Sequence, residues 1–216
     1  MARRAAQDRK CFGQACTVAK ALDIIGDRWT LLIARELLGG PARFSELLEG
    51  LPGVARNLLS GRLRQLERDA VVRRVEVQGA TLYALTEHGA RLRPLIDQLG
   101  YWGAKVKPVG PIVHARSLRS IAVAMQAILS RAGGELPEQP EALELELELG
   151  PLEIVMGPQL AVTARPSSAP VARVASSAEA VTDFLEGRGL DRRRFRLTSG
   201  DGASRKRLLA LMGAMA

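Results

Sequence analysis

Between residues 16 and 103 apolar positions recur every three or four residues, the period of a helix with one dry face. Val18, Leu22 and Ile25 mark a first helix over about 17–25, ended by Gly26. Asp27 stands where it can cap a second helix over about 28–38, closed by Gly39, Gly40 and Pro41. A short third helix follows Arg43, with Phe44, Leu47 and Leu48 apolar. Pro52 and Gly53 break the chain before a fourth helix over about 54–69. Leu59, Leu63 and Leu66 form its dry stripe, and Asn57, Ser60, Gly61 and Arg64 lie on the opposite arc. Leu58 falls off the stripe.

The period then changes. Val71 to Val77 is rich in β-branched residues, Gln78, Gly79 and Ala80 form a turn, and Thr81 to Leu85 return as a second strand. Thr86 caps a last helix with Leu92, Leu95, Ile96, Leu99 and Trp102 at helical spacing. Residues 104–115, with Pro108, Gly110 and Pro111, read as a linker.

A second architecture occupies 116–216. Leu118, Ile121 and Met125, with Ile128 or Leu129, share one face of a helix over 116–131. Leu143, Leu145, Leu147 and Leu149 alternate strictly with Glu144, Glu146 and Glu148, the pattern of a strand with one dry face. Further strands are expected at 152–156, 160–164, 171–175 and 195–198, with helices over 177–186 and from 202. The predicted fold class is α+β: helices and a hairpin in an N-terminal domain at 16–103, and a C-terminal α+β domain with a mainly antiparallel sheet. Residues 1–15 read as a flexible basic arm.

Composition narrows the class. The chain has 216 residues, 47% hydrophobic and 25% charged, ordinary for a globular protein. No apolar run approaches the ~18 residues of a membrane-spanning helix, and the N-terminus lacks the apolar stretch of a secretory signal. Cys11 and Cys16 are the only cysteines, which suits a reducing cytoplasm, and no Cys/His spacing suggests a metal site. The net charge of +8 is uneven: residues 1–110 hold 18 Lys+Arg against 11 Asp+Glu, and the remainder 13 against 12. A basic excess in one half points to a polyanionic partner for that half.

Three helices followed by a two-stranded ribbon are the plan of a winged helix-turn-helix, in which one helix enters the DNA major groove. The helix at 54–69 is the expected reader. Arg56 and Asn57 stand at its start; arginine bonds guanine, and asparagine bonds adenine, through two hydrogen bonds each. Ser60, Arg62 and Arg64 are candidate base or phosphate contacts, with Arg62 nearer the core edge. Arg43, Arg73 and Arg74 suit phosphates. Trp29 reads as core.

The stretches CTVAKALDIIGDRWTLLIARELL (16–38), RFSELL (43–48), ARNLLSGRLRQLE (55–67) and YALTEHG (83–89) together resemble HxlR-type winged-helix regulators. The resemblance implies a homodimer on a palindromic double-stranded DNA operator. It also implies a use for Leu92, Leu95, Ile96, Leu99 and Trp102 as a dimer interface, since an apolar stripe outside a compact bundle needs a partner. Some members of that family sense oxidants through a cysteine before the first helix, and Cys16 matches that position. The alternative is a buried structural thiol. Three positions depart from the pattern: Thr17 where proline usually follows the cysteine, Ala70 where glycine is common, and a short wing turn at 78–80 without the usual proline. The last argues against deep minor-groove contact by the wing.

The segments SSAEAVTDFLEG (176–187) and FRLTSGD (195–201), followed by a leucine-rich helix, more softly resemble a sterol-carrier-protein-like domain. That resemblance implies a pocket for a lipid-like or aromatic small molecule, for which Leu118, Ile121, Met125, Leu145, Leu147, Met156 and Phe184 are the candidate lining. The same side chains can equally fill a core. No cofactor is expected. No phosphate-cradling glycine loop or nucleophile elbow supports an enzyme. The alternative to a ligand-responsive regulator is a small-molecule carrier with a basic interaction module.

Overall fold

The computed structural model describes residues 11–103, 106, 117–131, 136–158, 160–164 and 169–214. Most of the expected basic arm (1–10) and of the linker lies outside them. The N-terminal unit runs α1 (Thr17–Ile25), α2 (Thr30–Leu38), α3 (Phe44–Gly50), α4 (Arg56–Arg68), β1 (Val72–Val77), β2 (Ala80–Leu85), α5 (Glu87–Ala90) and α6 (Arg93–Gly103). Its core is the expected set of dry faces: Ile33 and Leu37 of α2, Leu47 of α3, and Leu59, Leu63 and Leu66 of α4 are all buried. Asp27 starts α2 as its chemistry suggests, Oδ1 accepting from the N–H groups of Trp29 (2.8 Å) and Thr30 (3.1 Å). Trp29 packs against this core.

β1 and β2 pair antiparallel from Val72↔Leu85 to Val77↔Ala80, leaving a two-residue loop. Gln78 and Gly79 both take positive φ (50° and 75°), the requirement of a tight primed turn that follows strand twist. Ala42 and Tyr83 exchange backbone hydrogen bonds of 2.9 and 2.8 Å, which fasten the α2–α3 connection to the ribbon.

One helix was expected after Thr86; two are present. Thr86 caps α5, its hydroxyl accepting from the Gly89 N–H at 3.0 Å. The helix stops at Arg91, and α6 begins at Arg93. Pro94 explains the break, because its ring has no N–H to offer the preceding turn and is tolerated only in the first turn of a new helix.

The C-terminal unit contains α7 (Leu118–Leu129), β3 (Glu141–Leu147), β4 (Gly150–Met156), β5 (Ala161–Thr163), β6 (Ala172–Ala175), α8 (Ala178–Leu185), β7 (Arg196–Gly200) and α9 (Gly202–Gly213). The sheet order is β5-β4-β3-β6-β7, antiparallel except where β6 lies parallel to β3. Leu143, Leu145 and Leu147 face the helices, whereas Glu144 on the outer face meets Arg173 of β6 at 2.9 Å. Leu149 lies beyond the strand, in the turn before β4. Among the described residues no helix is long and apolar enough to cross a membrane.

Five of the seven residues expected to line a ligand pocket are packed together instead. Met125, Leu145, Leu147, Met156 and Phe184 are at most 8% exposed and pack into one cluster with α9 and Phe195. They fill a core, because the inward faces of the helices and of β3 and β4 interdigitate. Ile121 sits at the edge of this cluster, and Leu118 is half-buried against it.

The two units pack on each other through α7. Val123 joins Ala34 of α2 and Ile96 of α6 in a small dry cluster, with Leu92 against it. This corrects the expectation for Leu92 and Ile96: Ile96 of α6, and Leu92 just before it, pack against the same chain's own helices and not outward toward a second copy. Beside the cluster lies a polar joint. The Ser117 hydroxyl donates to Oε2 of Glu36 at 2.5 Å, and Arg35 donates to its Oε1 at 2.7 Å. Arg119 donates to the carbonyls of Gly40 (2.7 Å) and Pro41 (2.9 Å) at the end of α2. Glu36 is fully buried, and Ser117 and Arg35 satisfy its carboxylate oxygens.

Candidate nucleic-acid interface

The surface built by α3, α4 and the ribbon is the candidate interface. Leu51 closes α3, and Gly53, at φ +87°, turns the chain into α4 in a conformation that side chains resist. Ala55 caps α4 with extended backbone and offers no side-chain acceptor to the helix's first N–H groups. The positive end of the α4 dipole is therefore only partly satisfied and faces outward, where it suits an anion such as a phosphate.

Arg56 and Asn57 are exposed at that end. The Arg56 guanidinium lies 5.4 Å from the centre of the Phe44 ring of α3, a stacking contact that restricts its long side chain. The Leu58 N–H donates to Asn57 Oδ1 at 2.9 Å, so this amide must turn outward to meet a base. Leu58 itself is 41% exposed. Sequence reading set it aside as off the stripe, yet an apolar side chain here can meet a thymine methyl. Its signal was its place: an apolar residue on the wet arc of a reading helix.

One turn on, Arg64 Nη1 donates to Ser60 Oγ at 3.0 Å, and both groups share the outer arc. Arg62 points elsewhere. Its Nε lies 3.3 Å from Asp27 Oδ1, so it braces α4 against the start of α2. Arg43 is exposed beside α3, where its own N–H donates to Glu46 Oε2 at 2.6 Å.

The two ribbon arginines divide because strand neighbours face opposite ways. Arg73 is exposed. Arg74 lies 2.7 Å from Glu67 of α4 and 5.6 Å from the centre of the Tyr83 ring. Tyr83 first, and then Glu67, raise its pKa above the ordinary arginine value. Arg74 thus ties the ribbon to the reading helix.

The remaining predicted positions lie away from this surface. Leu95, Leu99 and Trp102 are exposed along α6, with Trp102 at 68%. Tyr101 and, from the first helix, Val18 and Leu22 are also exposed apolar groups that sequence reading had not assigned to an interface. Cys16 is exposed at the N-cap of α1, and Cys11 is exposed as well.

This layout can be set beside known proteins. The HxlR-like helix-turn-helix family matches residues 24–110. The HTH-type transcriptional regulator YdeP of Bacillus subtilis, itself uncharacterized, is 37% identical over 97 residues, 44% of this chain and 76% of that protein. The chain belongs to the HxlR-like helix-turn-helix family. The HTH-type transcriptional regulator YodB of Bacillus subtilis is 34% identical over 85 residues, 38% of this chain and 76% of that protein. Among solved structures, quinone-bound YodB from B. subtilis is 30% identical, covers 43% of this chain and 100% of its own, and gives a TM-score of 0.38. The redox regulator HypR in its oxidized form is 34% identical, with 44% and 100% coverage and a TM-score of 0.41. The HxlR-like segment contains α2 to α6 and hence the whole candidate interface, and the relatives' shared description as transcriptional regulators makes this a DNA-binding regulator.

Proposed function

We propose that this protein binds a palindromic operator as a homodimer, with α4 of each copy in the major groove and the β1–β2 ribbon on the flanking backbone. One observation carries the reading. The inner face of α4 is buried through Leu59, Leu63 and Leu66, while Arg56, Asn57 and Leu58 stand exposed at its uncapped start. Arg56 and Asn57 read base edges. Arg64 and Ser60 follow the groove, and Arg43 and Arg73 hold phosphates. Arg62 and Arg74 keep the reader in place. The wing is short, so it rests on the backbone.

The second copy docks on the exposed apolar face of α6, at Leu95, Leu99 and Trp102, with Val18 and Leu22 of α1 alongside. Such a face is costly to leave in water. The C-terminal unit, seated on α2 and α6, is the part through which an effector changes DNA affinity.

Selection from random duplex DNA, followed by fluorescence anisotropy with excess random competitor at physiological salt, tests the reading. The expected result is a palindromic site whose affinity falls steeply with salt. Arg56→Ala and Asn57→Ala should each cost ~1–3 kcal/mol and blur base choice. Enrichment of no duplex, or full affinity in both variants, would reject it.

A second reading rests on Cys16. Its thiol is exposed at the N-cap of α1, where an oxidant or a quinone can reach it. Oxidant or a quinone should then alter operator binding in the wild type and leave Cys16→Ser unaffected. Equal responses remove Cys16 from regulation.

A further inference from the structure

We infer that the protein binds an apolar small molecule carrying one hydroxyl or amine donor in a cavity between its two units, with Asp97 as the acceptor. The cavity, of about 510 Å³, lies where α2, α6, α7 and α8 converge. That volume is within the range of small-molecule sites, roughly 300–1,000 Å³. Its walls are mostly apolar: Leu31 from α2, Ile96 from α6, and Val123 and Ala127 from α7.

The polar groups on its wall are unequally satisfied. Arg35 already donates to Glu36, and Glu186 already pairs with Arg188. Asp97 is different. Its Oδ1 is buried and has no hydrogen-bond partner among the described residues. Buried polar atoms in folded proteins nearly always have a partner, so Asp97 is the unsatisfied carboxylate on this mostly apolar wall. Burial pushes the Asp97 carboxyl above the ordinary carboxylate range, while the charges of Arg93 and Arg131 pull the other way. Oδ1 has almost no accessible surface as it stands, so a ligand donor supplies the missing bond once the carboxylate turns toward the cavity that Asp97 lines.

The site shares Ile121 with the lining implied by the C-terminal resemblance, most of which is packed core. It also straddles the helices that matter for control. α2 packs against α3, α6 carries the exposed face proposed for the second copy, and α7 and α8 belong to the C-terminal unit. Leu99 borders the cavity and is also exposed on α6. An occupant therefore favours one packing of the units over others, and this shifts the geometry of the paired reading helices. That consequence rests on the regulator reading; the binding itself does not.

N-phenyl-1-naphthylamine suits as a probe. It is neutral and apolar, has a single N–H donor, and brightens on leaving water. The full-length protein without DNA should enhance its fluorescence saturably, at one site per chain. Ala124→Trp, which fills the cavity from α7, should abolish the saturable signal. Asp97→Leu should weaken binding about tenfold, the scale of a lost hydrogen bond to a charged group. Circular dichroism checks that both variants are folded, and Asp97→Leu remains informative if Ala124→Trp is not. No saturable enhancement with wild type, or enhancement that a folded Ala124→Trp and Asp97→Leu both retain, overturns the site. Operator affinity is then measured by anisotropy with and without the probe. A changed affinity supports the coupling, and an unchanged affinity overturns it while leaving the binding result standing. Failure of DNA binding itself counts against the regulator reading alone.

Discussion

Individual residues in the reading head divide into those that face outward and those that hold the head together. Arg62 and Arg64 are two positions apart on one helix, yet one meets Asp27 and the other meets Ser60 on the open arc. A third of a helical turn per residue is enough to separate a brace from a reader. The same scale exposes a local cost at Ala70, which takes φ +55° where the chain leaves α4. A Cβ is disfavoured there by roughly 1–2 kcal/mol, and glycine recovers this less its own entropy in the unfolded chain. Ala70→Gly should stabilise the protein by up to about 1 kcal/mol, read as a higher urea midpoint at constant slope. A lower midpoint would show that the Ala70 methyl group contributes more than its backbone costs.

At the scale of elements, α7 links the two halves. Its N-cap, Ser117, accepts from the Ser120 N–H at 3.4 Å and donates to Glu36. The first bond helps start the helix, and the second serves a carboxylate with no access to water. Gly50 allows this closeness, because a Cβ there would lie 2.7 Å from Glu36 Oε2. Ser117→Ala should cost about 2–3 kcal/mol, from a lost cap and an underserved buried acceptor. Chemical denaturation measures it; a change under 0.5 kcal/mol, the usual range of surface substitutions, would mean that Glu36 is served by its other donors. None of this was visible along the chain. Glu36 reads as one more polar residue on an amphipathic helix, and its partner lies 81 residues later.

The whole molecule has two cores, one per unit, joined by the small Ala34–Ile96–Val123 cluster and the polar joint. α6 serves both sides of this arrangement. Ile96 faces inward, and Leu95, one residue earlier, faces outward at 41% exposure. A helix with apolar groups on both faces is accounted for when one face meets its own chain and the other a second copy. Leu95→Glu should shift the protein from dimer to monomer in analytical ultracentrifugation and weaken operator binding while leaving helix content unchanged. A variant that stays dimeric would place the second copy elsewhere.

Periodicity and turn chemistry were enough to read most of the helices, the ribbon, the caps at Asp27 and Thr86, and the alternating face of β3, because these depend on neighbours a few residues away; the break between α5 and α6 was missed although Pro94 marks it. The same local logic located the start of α4 and its exposed Arg56 and Asn57. Three other matters depended on residues remote in sequence. Arg62 and Arg74 became braces because Asp27 and Glu67 fold against them. The expected pocket closed because the inward faces of α7, α9, β3 and β4 meet with nothing between them. Open space lies instead at the junction of the two units, bordered by α2, α6, α7 and α8. An amphipathic pattern states that a face is buried; only the packed chain states against what.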